Sequence, residues 1–243
     1  YPVEKWLSKY TDCLITINKE DYEIANSFWA KSVRHINGVG VDLNKFAPQA
    51  MESKIKLRKQ YGFNNDDFIL FFAAELNYNK HQDLLLKVVT ELKDKIPQIK
   101  LLLAGNGDKK EFYKELAENL NVEKYVYFLG HRNDVPNLLS LADVAVSSSR
   151  REGLPVNVME AMAVGLPLVV TNCRGNRDLV RDGENGYVVE IDDVSGFVNA
   201  IERLYRSKEL RRRFSGGNID FVRKYALDSI LSEMAKIYKK YIL

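Results

Sequence analysis

One stretch, from Ser147 to Thr171, constrains the fold of this chain more than any other part of its sequence. An apolar run at residues 143–147 predicts a buried strand, and the pattern then predicts a helix over residues 155–164 and a second strand over residues 167–171. Pro155 suits the first turn of that helix, where a missing N–H group costs no hydrogen bond. The loop before the helix therefore points free backbone N–H groups and the positive end of the helix dipole outwards, which predicts an anion-binding site.

Two carboxylates bracket this predicted site. Glu152 lies in the loop, and Glu160 lies within the helix, roughly 7.5 Å along an axis that rises about 1.5 Å per residue. A diphosphate between them would place a sugar near one carboxylate and a ribose near the other, because carboxylates accept hydrogen bonds from hydroxyl pairs. An arbitrary pair of glutamates is more often solvated surface, but apolar neighbours leave Glu160 little room to be ordinary surface.

From residue 53 onwards, predicted strands and helices alternate, which is typical of a parallel sheet covered on both faces. Six strands with intervening helices suit a doubly wound α/β sheet of order 3-2-1-4-5-6. The first and fourth strands are neighbours in that order, so the loop with Glu75 and Lys80 meets the loop with Glu152 at one crevice. The strands are predicted at residues 68–74, 100–104, 125–129, 143–147, 167–171 and 186–189, and the helices at residues 53–61, 80–93, 109–119, 135–141, 155–164 and 195–205.

The two ends of the chain have predicted elements of their own. The first residue is Tyr1 rather than Met, and the sequence opens directly into a helix-like segment, so we expect a piece of a longer enzyme. At this end we predict a helix at residues 3–10, a strand at 13–17, a helix at 20–29 capped by Asn18 and a strand at 33–36, and at the other end helices at 209–225 and 227–241.

Composition excludes several function classes. A formal net charge of +3 over 243 residues is weak support for a polyanion partner, so we expect no nucleic-acid binding. Residues 211–213, three arginines, are interpreted as a solvated helix face. Cys13 and Cys173 form no disulfide framework, which favours a reduced, cytoplasmic protein. No apolar run approaches the roughly eighteen residues of a membrane span.

The central motif reads Glu152-Gly-Leu-Pro-Val-Asn-Val-Met-Glu160-Ala-Met-Ala-Val-Gly-Leu-Pro, and it resembles the paired-glutamate signature of family 4 retaining glycosyltransferases. The variant is similar to bacterial capsule and exopolysaccharide enzymes. The resemblance implies a GT-B fold of two Rossmann-like domains. It assigns residues 1–37 to the end of a truncated N-terminal acceptor domain, residues 38–48 to a linker, and residues 49–243 to a nucleotide-sugar-binding domain whose last helix crosses back.

The resemblance also implies roles for the residues of the crevice. Glu152 would hold the sugar and stabilise positive charge at its anomeric carbon, and Glu160 would bind the ribose hydroxyls. The amides of Gly153 and Leu154 would hold the diphosphate together with Lys80. The remaining donor-binding residues implied in this way are Glu75, Gly130, His131, Arg132, Arg151, Pro155 and Asn157.

The sequence departs from the family in the loop that ends at Lys80. Members of the family carry Arg-Leu-x-x-x-Lys-Gly there, and this chain reads Glu75-Leu-Asn-Tyr-Asn-Lys80-His81. Part of the implied diphosphate clamp is therefore replaced, and Arg151 or Arg174 is expected to supply the missing charge. Glu75 is expected to orient an arginine or a sugar hydroxyl.

The function that the resemblance implies is transfer of a sugar from a UDP-sugar to a saccharide or lipid-linked acceptor, with retention. No cofactor is expected, and no metal, because the crevice has no Asp-x-Asp and the three histidines are scattered. A lipid-linked acceptor implies a peripheral contact with the inner face of the plasma membrane through the N-terminal domain. The chain alone is expected to be inactive. Two alternatives stay open: a nucleotide-sugar epimerase of related fold, and a module that only binds nucleotide.

Overall fold

The computed structural model describes residues 1–242 and contains two parallel sheets. The larger sheet has the strand order β5-β4-β3-β6-β7-β8, which confirms the predicted doubly wound order 3-2-1-4-5-6. The smaller sheet pairs β1 with β2. The strands are β1 (Leu14–Thr16), β2 (Val33–His35), β3 (Phe68–Ala73), β4 (Ile99–Ala104), β5 (Val126–Gly130), β6 (Val144–Ser147), β7 (Leu168–Thr171) and β8 (Gly186–Val189).

The helices lie close to their predicted positions, with three corrections near the crevice. Lys80 does not start a helix but lies in the turn before one, and Pro155 is the N-cap of its helix rather than a residue of its first turn. One short helix, Arg174–Leu179, was not predicted. The helices are α1 (Pro2–Leu7), α2 (Lys19–Ala25), α3 (Met51–Gln60), α4 (Gln82–Leu92), α5 (Lys110–Asn119), α6 (Val135–Leu141), α7 (Val156–Ala163), α8 (Arg174–Leu179), α9 (Val194–Arg206), α10 (Lys208–Val222) and α11 (Leu227–Tyr238).

Strand β3 divides the core into two halves. Its side chains alternate between the faces of the sheet, as in any strand. Leu70 and Phe72 pack with residues of α4, α5 and α9, whereas Ile69 and Phe71 pack with residues of α6, α7 and α8. Because both faces are covered, the strand reads in the sequence as one continuous apolar run, and such runs were the basis of the strand predictions.

The loops after β3 and β4 touch each other through their backbones. A Cβ atom at Gly105 would collide with the carbonyl oxygen of Ala74, and one at Gly107 would collide with that of Leu76. Only glycine lets two backbones approach so closely, and Gly105 also has a φ of 148°, which is unfavourable for other residues. The loop after β3, which leads to Lys80, therefore packs directly against the loop after β4.

A largely buried ionic cluster lies at the opposite, amino-terminal ends of the central strands β3 and β6. Asp143 accepts hydrogen bonds from Lys54 at 2.8 Å, from Arg58 at 2.7 Å and from the backbone N–H of Ile69 at 2.8 Å. Burial alone would raise the pKa of the Asp143 carboxyl, but the charges of Lys54 and Arg58 outweigh it and hold this pKa below its ordinary value. The cluster joins α3 to the start of β3 and β6.

The three arginines at residues 211–213 are not a uniformly solvated face. Arg211 is half-buried and donates hydrogen bonds to the carbonyl oxygens of Leu204 and Tyr205 at the end of α9. Arg212 and Arg213 are exposed, as predicted. The interpretation is therefore wrong for Arg211, whose position next to the previous helix could not be read from the charge pattern.

The last helix lies beside both the first segment and the linker. The chain at Val41 pairs with Ala226, just before α11, and the hydroxyl groups of Tyr241 and Ser32 lie 2.9 Å apart. The division into an acceptor remnant, a linker and a donor-binding domain stays a prediction. Within residues 1–242, no helix combines the length and the apolar character that a membrane crossing requires.

Substituting Asp143 with Ala should destabilise the fold strongly. Removing one partner of a buried ion pair leaves the other charges uncompensated and typically costs about 3–5 kcal/mol. Urea unfolding measures the difference, and the exposed Asp66→Ala serves as a control for the loss of one carboxylate. Equal stability of the two variants would contradict a structural role of the cluster.

Candidate functional site

The candidate site lies where the loops after β3 and β6 meet. The backbone N–H of Arg150 donates to the carbonyl of Asn79 at 2.8 Å, and the Asn79 side chain donates to the carbonyl of Arg151 at 3.0 Å. Ser148 donates its hydroxyl proton to the carbonyl of Lys80 at 2.7 Å. The two loops thus form one hydrogen-bonded unit at the carboxyl ends of adjacent strands, where doubly wound sheets bind their ligands.

Lys80 and Glu152 form an ion pair across this unit. Lys80 Nζ lies 2.6 Å from Glu152 Oε1, and the two side chains are 22% and 10% exposed. The family resemblance implied separate roles for the two residues: Lys80 would bind the diphosphate, and Glu152 would bind the sugar. An ammonium group carries three protons, so Lys80 keeps two for a ligand while it holds Glu152 in place.

His81 occupies the position where the family motif has glycine. Its backbone lies in the left-handed region, with a φ of 56°, a conformation that glycine adopts more readily than histidine. The ring is buried, with Nδ1 2.9 Å from Asp83 Oδ1 and Nε2 2.9 Å from Asp192 Oδ1. These contacts hold the left-handed turn that follows Lys80, so the histidine occupies a conformation that glycine adopts more readily.

The departure at Glu75 was expected to be compensated by Arg151 or Arg174. Glu75 is exposed and accepts a hydrogen bond from Asn77 at 2.9 Å, rather than one from an arginine. Arg174 is engaged with Asp21 at 2.7 Å and with the carbonyl of Glu152 at 3.1 Å. Arg151 is exposed and forms no ion pair with any part of the chain that the structure describes. Of the two arginines proposed as substitutes, Arg151 is the one whose charge remains available.

The start of α7 offers backbone donors next to the ion pair. The N–H groups of Gly153 and Leu154 find no acceptor among residues 1–242. Pro155, the N-cap, has no N–H group, and the first helical hydrogen bond runs from Met159 to the Pro155 carbonyl at 3.3 Å. Free amides and the N-terminal end of an eight-residue helix therefore lie next to Glu152, whose side chain contacts the Lys80 ammonium.

Glu160 lies on α7, and its surroundings are largely apolar. Burial raises the pKa of the Glu160 carboxyl to about 7, and the nearby charge of Lys45 offsets only part of this rise. Asn157, one turn earlier, donates its side-chain N–H to the Ala73 carbonyl at 2.9 Å and so fixes α7 to the end of β3. Lys45 belongs to the linker, and no sequence signal connected it with Glu160.

The loop after β5 contributes backbone rather than charge. Arg132 binds Asp134 through two hydrogen bonds, of 2.8 and 2.6 Å, and these lower the pKa of the Asp134 carboxyl to about 2. The Arg132 charge is therefore already compensated. Gly130 turns the chain with a φ of 66°, and the exposed His131 follows it. The donor-binding roles of Gly130, His131 and Arg132 stay predictions.

Within the described part of the chain, no group of three or more His, Cys, Asp or Glu side chains is arranged to hold a metal ion. The expected metal independence remains a prediction, because the arrangement of protein ligands alone does not test it.

Comparison with known proteins identifies the family. The family model described as "Glycosyl transferases group 1" matches residues 53–218. The putative glycosyltransferase EpsD of Bacillus subtilis is 44% identical over the whole chain, which covers 64% of that protein. A relative from Escherichia coli, named UDP-Gal:alpha-D-GlcNAc-diphosphoundecaprenol alpha-1,3-galactosyltransferase, is 32% identical over 86% of the chain and 56% of its own length. The chain thus spans less than two thirds of either relative.

A solved structure with the same fold is that of Anabaena HepE in complex with UDP and glucose. The TM-score is 0.88 at 22% identity, and the match covers 98% of this chain and 66% of HepE. At this identity the likeness establishes the fold, which is that of GT-B glycosyltransferases.

The raised pKa of Glu160 predicts a pH-dependent stability. The folded state binds the Glu160 proton more tightly than the unfolded state, whose ordinary pKa is 4.5. The free energy of unfolding should therefore be largest below that value and should fall as the pH rises to about 7. Glu160→Gln should remove this contribution, and urea unfolding across the pH range measures it. If the exposed Glu118→Gln changed the slope as much, the assignment to Glu160 would fail.

Proposed function

Because this chain belongs to the glycosyl transferases group 1 family, we propose that its crevice binds the nucleotide-diphosphate sugar from which a sugar is transferred. The observation that carries the proposal is the position of the Lys80–Glu152 ion pair, which lies beside the unpaired amides at the start of α7. An ammonium group with two N–H donors left over and two unpaired amides are the kind of donors that suit a diphosphate. The preferred nucleotide is UDP, which HepE holds and which the E. coli relative's name contains.

The diphosphate would lie between Lys80 and the amides of Gly153 and Leu154. These donors are fixed before the ligand arrives, because the loops after β3 and β6 are hydrogen-bonded to each other. Fixed donors stabilise the charge that develops on a departing nucleotide diphosphate without a cost of reorganisation. Arg151 is available as a second cation in place of the arginine that Glu75 replaces.

Glu152 would hold the sugar and stabilise the positive charge at its anomeric carbon. We propose transfer with retention and without a protein nucleophile. The bond from the anomeric carbon to the diphosphate oxygen breaks while the acceptor oxygen bonds to the same face, and the departing phosphate oxygen takes the acceptor proton. The ion pair with Lys80 supports this role, because a carboxylate held by an ammonium group is a weaker nucleophile and still an electrostatic partner.

Glu160 would bind the two ribose hydroxyls. Its carboxylate lies in apolar surroundings that raise its pKa, and hydroxyl donors would stabilise the ionised form. Asn157 holds the same turn of α7 against β3, so the ribose end and the phosphate end of the site belong to one rigid helix.

For the whole protein we propose transfer to a saccharide or lipid-linked acceptor during polysaccharide synthesis. The E. coli relative's name contains a diphosphoundecaprenol acceptor, and EpsD shares the full length of this chain. A lipid-linked acceptor would place the protein in the cytoplasm, at the inner face of the plasma membrane. A product assay separates this proposal from an epimerase, because an epimerase converts the nucleotide sugar without an acceptor.

Substitution of Glu152 and substitution of Glu160 should have different effects on ligand affinity. Glu160→Ala should weaken UDP and UDP-sugar binding alike, at least tenfold, because a hydrogen bond to a charged acceptor is worth about 1.5–3 kcal/mol. Glu152→Ala should leave UDP binding intact or improve it, since it frees the Lys80 ammonium. Calorimetric titration measures both, with thermal melts as the folding control. Loss of UDP binding in Glu152→Ala and not in Glu160→Ala would reverse the proposed orientation of the donor.

Donor binding should also be independent of divalent metal. The proposed diphosphate site consists of an ammonium group, amides and a helix dipole, which supply the charge that Mg²⁺ would otherwise bring. Titration of UDP in EDTA should give the same dissociation constant as titration with added Mg²⁺. Complete loss of binding in EDTA would show that a metal completes the site.

A further inference from the structure

The loop that carries Glu152 is also held from outside the crevice, by residues of the first segment. We propose that Asn18, Asp21 and Arg174, together called the loop clamp, are positioning residues of the donor site. They fix the backbone at Glu152 and Gly153, and so set the direction of the Glu152 carboxylate and of the free amides. This inference rests on the proposed function of the crevice, but its structural part is tested separately below.

Arg174 is the first connection between the segment and the loop. Its Nε donates to the carbonyl oxygen of Glu152 at 3.1 Å, and its other arm donates to Asp21 Oδ1 at 2.7 Å. One planar guanidinium therefore spans from helix α2 to the backbone of Glu152. A lysine could not do this, because an ammonium is a single point of contact whereas the guanidinium is a rigid fork of donors.

Asn18 is the second connection. It is fully buried, and its side-chain N–H group donates to the carbonyl of Gly153 at 3.1 Å and to Asp21 Oδ2 at 2.7 Å. Its side-chain oxygen caps α2 by accepting the backbone N–H of Asp21 at 2.8 Å, as the sequence predicted. Asp21 thus uses one carboxylate oxygen on each connection and joins the two into a single network.

Close packing between α8 and the loop restricts the movement of this network. A Cβ atom at Gly175 would collide with the Gly153 carbonyl oxygen, so α8 and the loop are in direct backbone contact. The Gly153 and Glu152 carbonyls are held by the clamp, and the Glu152 carboxylate is held by Lys80 at 2.6 Å. With both consecutive carbonyls fixed, the peptide planes are fixed too, and the amide of Leu154 keeps one direction.

The same two helices form another ion pair that does not touch the loop. Arg177 on α8 lies 3.0 Å from Glu20 on α2, with both side chains about half exposed, at 47% and 50%. Arg174 and Asp21 are each only 25% exposed. Exposed pairs contribute little, so the Glu20 pair is a matched control: it has the same charges and the same two helices, without a bond to Glu152 or Gly153.

The clamp makes the donor site depend on the position of the first segment. If α2 moves away, Asp21 releases both connections at once, and the loop keeps its contacts with Asn79, Lys80 and α8. We therefore expect the loss of Asp21 to affect the sugar end of the site, where Glu152 acts, more than the nucleotide end at Glu160.

The test compares Asp21→Asn and Arg174→Lys with Glu20→Gln in the same chain. NMR of the free proteins should show the amide signals of Gly153 and Leu154 displaced in the first two variants and unchanged in the third. Calorimetry should show UDP-sugar affinity lowered about fivefold in the first two variants. UDP affinity should fall by a smaller factor, because UDP shares the diphosphate that the amides hold but lacks the sugar that Glu152 holds. Glu20→Gln should have no effect. Arg174→Lys keeps the positive charge and so also serves as a control for folding. A lysine cannot contact Asp21 and the Glu152 carbonyl at the same time.

Unchanged amide signals in both clamp variants would overturn the inference, whatever the ligands do. Equal losses in Glu20→Gln and Asp21→Asn would also overturn it, since they would show only a general loosening of α2. If the unaltered chain bound neither UDP nor a UDP-sugar, the proposed function would fail, and the amide signals would still decide whether the clamp positions the loop.

Discussion

In a doubly wound sheet, the connections from two adjacent central strands leave towards opposite faces, and nothing covers the gap above their carboxyl ends. β3 and β6 are those strands here, and their register pairs Leu70 with Val144. The two loops that follow them must satisfy their polar groups without a covering helix, and they do so on each other. The ion pair, the free amides and the His81 turn all follow from this one meeting point.

Much of the fold could be predicted because its strands are short, fully buried and apolar throughout. Their order followed from six strands that alternate with helices, which is the doubly wound pattern, and it was correct. Helix α8 was not predicted because its six residues include Gly175, Asn176 and Asp178, which have low helix propensity. Its formation therefore depends on packing rather than on local propensity. The resemblance located the paired glutamates, but local sequence could not show that α7 starts one residue after Pro155.

Side-chain partners were the part that sequence could not supply. Lys80 and Glu152 are 72 positions apart, Asp21 and Arg174 are 153 apart, and nothing local marks either pair. Departures from a motif were also misleading when considered one at a time. Histidine in place of glycine suggests a changed backbone, yet Asp83 and Asp192 hold His81 in the conformation that glycine would adopt. Arg132 was implied as a donor-binding residue, and the resemblance did not show that Asp134, two residues later, pairs with its charge.

The backbone contact between the loops after β3 and β4 limits which substitutions the protein can accept during evolution. Gly105 and Gly107 cannot gain a side chain without displacing Ala74 and Leu76, and these lead directly to the turn of Lys80. Substitution of Gly105 or Gly107 is therefore strongly disfavoured, and changes in ligand preference must arise from other residues of the crevice. His131, Arg132 and Arg151 are predicted donor-binding residues outside this contact, so a library aimed at altered specificity should randomise them and leave Gly105, Gly107 and Gly130 unchanged.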